Sequence, residues 1–170
     1  MIAFIVRAAV AVVALIVVAF FAIGHDRFWR LFGDPDIGPV AFETLLRSAT
    51  PNDALACPPD LCVAPADIAT LVYPVSAGVL RAAFVGVIAA EPRVTQVASD
   101  DATLADRYVQ RSARLGFPDT IIVRFIDRPG GQSTIALYSR SQIGHSDLGV
   151  NRARLERWLA TLDRVLPAVE

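Results

Sequence analysis

Residues 138–159 read YSRSQIGHSDLGVNRARLERWL and gather more chemically capable side chains than any other stretch of the chain. Ser139, Ser141 and Ser146 lie close to His145, the pairing of nucleophile and base that acyl transfer uses. No strand–turn–helix elbow frames them, however, and closeness in sequence is not the geometry a proton relay needs. Arg140, Asn151, Arg152 and Arg154 surround the start of a helix, where unpaired N–H groups already favour anions. Two readings follow. One is a small anion or carboxylate site using Arg140 and Arg152. The other, which we favour, is an internal network in which Asp147, Asn151 and Arg154 pin a loop to the helix, because a buried arginine needs such partners.

Other chemistry is sparse. Cys57 and Cys62, in CPPDLC, are the only cysteines. Their spacing around two prolines suits a small disulfide loop, which persists in an oxidising compartment; two reduced thiols in a cytosolic loop are the alternative. A metal would need further ligands, and His25 and His145 are the only histidines, so no metal site and no cofactor are expected. Pro129-Gly130-Gly131 lacks the lysine and helix context of a phosphate loop and reads as a hairpin turn. Asp34, Asp36, Asp100 and Asp101 read as turn formers.

Formal net charge is −1, and all 16 cationic residues are arginine. There is no global basic field to collect nucleic acid. Arginine is dense between Arg107 and Arg164, but Asp106, Asp119, Asp127, Asp147, Glu156 and Asp163 are interleaved. That mixture describes solvated faces and ion pairs rather than a phosphate track, and nucleic acid is not an expected partner.

The elements that must carry these residues begin with an apolar run. From Ile2 to Gly24 the one charged residue is Arg7, placed where its side chain can snorkel to lipid headgroups. The run is long enough to cross a bilayer, and longer between charges than the apolar core of most signal peptides. A signal cleaved after Ala22-Ile23-Gly24 is the competing reading. Phe28, Trp29 and Phe32 follow as an interfacial aromatic belt. Residues 1–24 are thus expected to form an anchor, residues 25–69 a juxtamembrane connector broken by prolines and glycines, and residues 70–170 an α+β domain. The connector has room for one short helix near Phe42–Arg47, and serves as stalk and as packing over the core.

In the domain, Ser76 can cap a helix with an apolar stripe of Val79, Leu80, Ala83, Phe84, Val87 and Ile88, stopped by Pro92. Strands are expected at 93–98, 107–113, 119–127 and 133–141, the last two as a hairpin. A terminal helix carries Leu155, Trp158, Leu159, Leu162, Val165 and Leu166. The predicted fold is α+β: about four antiparallel strands, with the helix before and the helix after packed on one face. Ile121, Val123, Phe125, Ile135 and Leu137 then face the helices. Ile122, Arg124, Ile126, Ala136, Tyr138 and Arg140 line the opposite, uncovered face.

The 138–159 segment resembles the C-terminal signature of a bacterial and plastid family, domain of unknown function family 1499. LGFPDTIIV at 115–123 is similar to its mid-domain FPD segment. Pro51-Asn52 with the cysteine pair resembles its opening region. The resemblance covers most of residues 42–164; it implies one intact domain and supplies no activity or cofactor.

The expected function is therefore a membrane-anchored, non-catalytic binding or assembly module of the cell envelope. The chain would cross the bacterial inner membrane once, with its C-terminal domain in the periplasm, the side the cysteine pair favours. Its partner would be an envelope protein or an amphipathic or anionic ligand, met through Arg124, Tyr138, Arg140 and Arg152, since tyrosine, arginine and aliphatics together suit an interface core. The alternative is an envelope hydrolase or transferase acting on an anionic substrate.

Overall fold

A computed structural model describes residues 1–168; the last two residues of the expected domain, 169 and 170, lie outside the described residues. The apolar run forms one helix, α1 (Ile2–Ile23), none of whose residues is buried. It is long and apolar enough to cross a membrane, a test that a signal sequence near the N-terminus also passes. Gly24 (φ +80°) turns the chain directly into a short helix, α2 (His25–Arg30).

The sheet is larger than expected. Strands β1 (Asp53–Cys57), β2 (Ile68–Ala69), β3 (Val72–Tyr73), β4 (Val94–Asp100), β5 (Ala105–Arg111), β6 (Pro118–Arg128) and β7 (Gln132–Ser141) form one mixed, seven-stranded sheet. The order is β2-β1-β7-β6-β5-β4, with β3 beside the first residues of β7. The four antiparallel strands anticipated from their patterns are β4 to β7. The three missed strands all lie on the far side of β7, and β1–β2 is a parallel pair. Two of them, β1 and β2, come from residues 25–69. That stretch is therefore part of the sheet and not only a connector.

Helices α3 (Ala77–Ala89) and α4 (Val150–Val165) cover one face. Leu80, Phe84, Leu155, Trp158 and Leu162 pack there against Ile121, Val123, Ile135 and Leu137, all fully buried. The alternation along the β6–β7 hairpin thus points the expected residues inward. Val79 and Val165, expected in the stripes, stay more than half exposed. Ser76 makes no side-chain cap to α3; Asp127, from the end of β6, accepts the Ala77 N–H at 2.8 Å instead.

The opposite face is not open. Phe42, in a short 3-10 turn (Phe42–Thr44), packs with Leu45, Leu55, Cys57, Ile122, Ala136 and Tyr138 in a second buried cluster. Ile37, Val40, Leu61 and Ile126 close its margin. Ion pairs fasten this covering layer to the strands: Asp36 to Arg107 at 2.9 Å, Glu43 to Arg124 at 2.6 Å, and Asp60 to Arg128. The Thr120 hydroxyl also donates to the Pro35 carbonyl. Burial of the seven side chains of that cluster offsets the entropy of ordering a proline-rich segment.

Candidate functional site

Every strand end that matters for chemistry lies at one end of the sheet. There the β5–β6 loop (residues 112–117), the segment leaving β7 (residues 142–149) and the approach to β1 (residues 50–52) come together. Gln142 N–H donates to Pro118 O at 3.1 Å and Asp147 N–H to Pro51 O at 3.3 Å. The β6–β7 hairpin, where Gly130 and Gly131 take φ of +78° and +73°, lies at the other end.

Arg154 is the centre of the cluster. Its side chain is 4% exposed and ion-paired to Asp119 at 2.5 Å. The same guanidinium donates to Gln110 Oε1 at 2.5 Å, Ser139 Oγ at 2.7 Å and Asn151 Oδ1 at 2.5 Å. Asn151, one turn earlier on α4, uses every other group it has. Its Oδ1 also accepts from Ser139 Oγ at 2.6 Å. Its Nδ2 donates to Asn52 O and Ser141 Oγ, both at 3.0 Å. Asn52 Nδ2 in turn donates to Gly144 O at 3.1 Å. Buried polar groups cost least when each has a partner, and here helix, three strands and two loops satisfy one another except at Asn52 Oδ1, which has no hydrogen-bond partner among the described residues.

Asp147 holds the helix end. Its carboxylate accepts the Gly149 N–H at 3.0 Å and the Asn151 N–H at 2.8 Å, relieving donors that α4 leaves unpaired. Among the described residues it makes no ion pair with an arginine. Arg152 lies outside the network: half exposed, it pairs with Glu156 at 2.9 Å along the helix surface. The arginine of the network is Arg154.

The residues assigned to an open sheet face are placed differently from expectation. Tyr138 is buried, 1% exposed, and its hydroxyl donates to Asp53 at 2.8 Å. Burial pushes the Tyr138 phenol above its ordinary value, and the Asp53 carboxylate beside it adds to the shift. Burial also acts to raise the Asp53 carboxyl. The bonds it accepts from Arg47, the Ser48 N–H and Tyr138 outweigh that and hold it below the ordinary carboxylate value. Arg124 sits at the margin, paired to Glu43. Arg140, opposite Asp53 in the ladder, is half-buried, and its Nε has no hydrogen-bond partner among the described residues. Tyr138 and Arg124 fasten the layer over this face, so the sheet is not uncovered there as expected.

The serine–histidine pairing is not assembled. Ser139 and Ser141 are buried and bonded to Asn151, whereas His145 and Ser146 lie exposed on the loop. Among the described residues no three histidine, cysteine, aspartate or glutamate side chains gather as a cation would require. Cys57 and Cys62 are joined as a disulfide with Cα atoms 6.3 Å apart, well away from the Arg154 cluster.

A pocket of about 360 Å³ opens over the cluster. Phe117, Ile143, Leu148 and Val150 supply apolar walls, and the buried Asp119 and Ser141 supply polar lining. Its volume falls within the range of small-ligand sites, about 300–1,000 Å³. Sequence reasoning found Asn151 and Arg154 by their place at the start of the terminal helix. It missed Gln110, read Asp119 also as one of the acids interleaved with arginine on solvated faces, and otherwise treated Asn52 and Asp119 only as marks of resemblance. That was the available signal: the three stretches that carry the resemblance meet at this one network.

An apolar helix of spanning length leads into a mixed sheet, clad on one face by two helices and on the other by residues 35–62; this defines an α+β domain behind a single N-terminal apolar helix. The chain belongs to the family described as Protein of unknown function (DUF1499), whose model matches residues 40–162. No curated protein and no solved structure matches it.

Proposed function

We propose that the protein is a membrane-anchored, non-catalytic binding module of the bacterial cell envelope, and that the pocket over Arg154 is its ligand site. One observation carries the reading. The polar side chains lining the pocket are already bonded within the protein, Asp119 to Arg154, Ser141 to Asn151, and Ser112, Ser146 and Asp147 to backbone N–H groups, and most of the remaining wall is apolar. Such a site offers shape and apolar surface on a rigid floor, which suits retention of an amphipathic molecule better than proton transfer. The disulfide supports an oxidising exterior, hence one crossing of the inner membrane with the domain in the periplasm.

Native mass spectrometry of the full chain released from membranes tests the site. The expected result is a retained small amphiphile that is lost when Val150→Trp fills the pocket. Equal retention by Val150→Trp, or no retained molecule in the parent, overturns it. Alkylation in intact cells tests the compartment. Both thiols should resist labelling after denaturation until a reductant is added, and free labelling would refute the periplasmic placement.

A further inference from the structure

The anchor does not hang from the domain by a loose tether. Gly24 links α1 to α2 without a spacer, and α2 is seated on the β5–β6 loop. Trp29 Nε1 donates to Leu115 O at 2.6 Å, and its ring lies 4.5 Å from that of Phe117. Asp26 pairs with Arg111 at 2.7 Å. Gly116, at φ +66°, lets His25 sit where a Cβ would come within 2.7 Å of it. These contacts fix which end of the domain faces the membrane, and it is the end that bears the pocket.

That end is also rich in apolar side chains that stay exposed among the described residues. Leu148 is 92% exposed and adopts φ +55°, a conformation unfavourable for a leucine. Leu31, Phe32, Leu115 and Val150 are each about half exposed or more. Phe117 joins the two groups, its ring tilted against that of Trp29 on one side and lining the pocket with Leu148 on the other. Arg27, Arg30 and Arg114 flank them, the charge that anionic headgroups attract. Clustered exposed apolar residues of this kind mark a surface that is covered in use, and here the surface is continuous with the helix that enters the bilayer.

We infer that the domain seats on the bilayer by this end, with Leu115, Leu148 and Val150 in the lipid interface, and that the pocket takes an acyl chain of a lipid from the same leaflet. The inference rests on the pocket being the ligand site. It adds the source and chemical class of the occupant, and assigns Leu148 a role as a membrane-inserting residue.

The test uses the full chain in nanodiscs of phosphatidylethanolamine and phosphatidylglycerol. Because the native cysteines are joined, Leu148→Cys, Leu115→Cys and Ala102→Cys each offer one thiol for an environment-sensitive dye. Ala102, in the β4–β5 turn at the opposite end, is the reference. Dyes at 148 and 115 should emit to the blue of the dye at 102, and brominated acyl chains should quench them several-fold more strongly. Emission and quenching at 148 and 115 equal to those at 102 would overturn the seating. If that occurs while a pocket-bound amphiphile is still recovered, the binding reading survives and only the bilayer inference falls. If the dyes are quenched but the recovered molecule has no acyl chain, the assignment of the occupant falls.

Discussion

Asp119, at the start of β6, accepts the guanidinium of Arg154 at 2.5 Å, with both side chains nearly removed from water. An arginine at this depth is tolerable because three other oxygens and a helix surround it, and neither partner is tolerable alone.

Removing both members should therefore cost less than the two single losses added together. Arg154→Met or Asp119→Leu alone is expected to lower stability by about 3–5 kcal/mol, and the double variant by clearly less than their sum. Urea unfolding of the full chain in detergent, followed by tryptophan fluorescence, gives the comparison. Additive losses would mean that the pair is not coupled.

Asp147 should behave more mildly. It caps α4 but has no arginine to leave stranded, so Asp147→Ala is expected to cost about 1 kcal/mol. Asn151→Ala leaves Ser141 Oγ without its partner and takes an acceptor from both Ser139 Oγ and Arg154, and should cost more, with buried unmade bonds at about 1–3 kcal/mol each. Thermal melts of the two variants should rank in that order.

Acid should loosen the layer over the second face. The folded-state pKa of Asp53 is depressed, so its contribution is present above the unfolded value of about 3.9 and disappears as pH falls through the folded one. Asp36, where bonds from Arg107 and the Gly38 N–H outweigh burial, and Glu43, held low by its own backbone N–H and then by Arg124, act in the same direction in the same layer. Stability should fall below about pH 4, and Asp53→Asn should flatten that decline. An unchanged acid slope in Asp53→Asn would show that its charge is not what ties β1 to Tyr138.

Where the chain obeys a period, it could be read. Ile121, Val123 and Phe125 alternate against Ile122 and Arg124, and the hairpin and its inward residues follow from that alternation. Strand β1 gives no such signal. Asp-Ala-Leu-Ala-Cys lies between β2 and β7 with both faces covered, so its residues are small or apolar without alternation. β2 and β3, two residues each, are too short to leave a pattern. The site divides in the same way. Asn151 and Arg154 share a helix face by spacing, whereas Gln110, Asn52 and Asp119 reach them only across the finished sheet.

The position of β1 has a consequence for biogenesis. Its neighbour on one side is β7, so Asp53 meets Arg140 only after most of the chain has been made. The Cys57–Cys62 loop, by contrast, is local and can close as soon as an oxidant reaches it. If the N-terminal helix is retained in the bilayer, residues 53–57 emerge early, tethered and half-buttressed, and must wait for the last third of the polypeptide before their hydrogen bonds are satisfied. During that interval β2 can pair with Ala56 and Cys57 alone, so the local disulfide clip is in place while most of β1 is still an open edge of the kind that pairs with another chain.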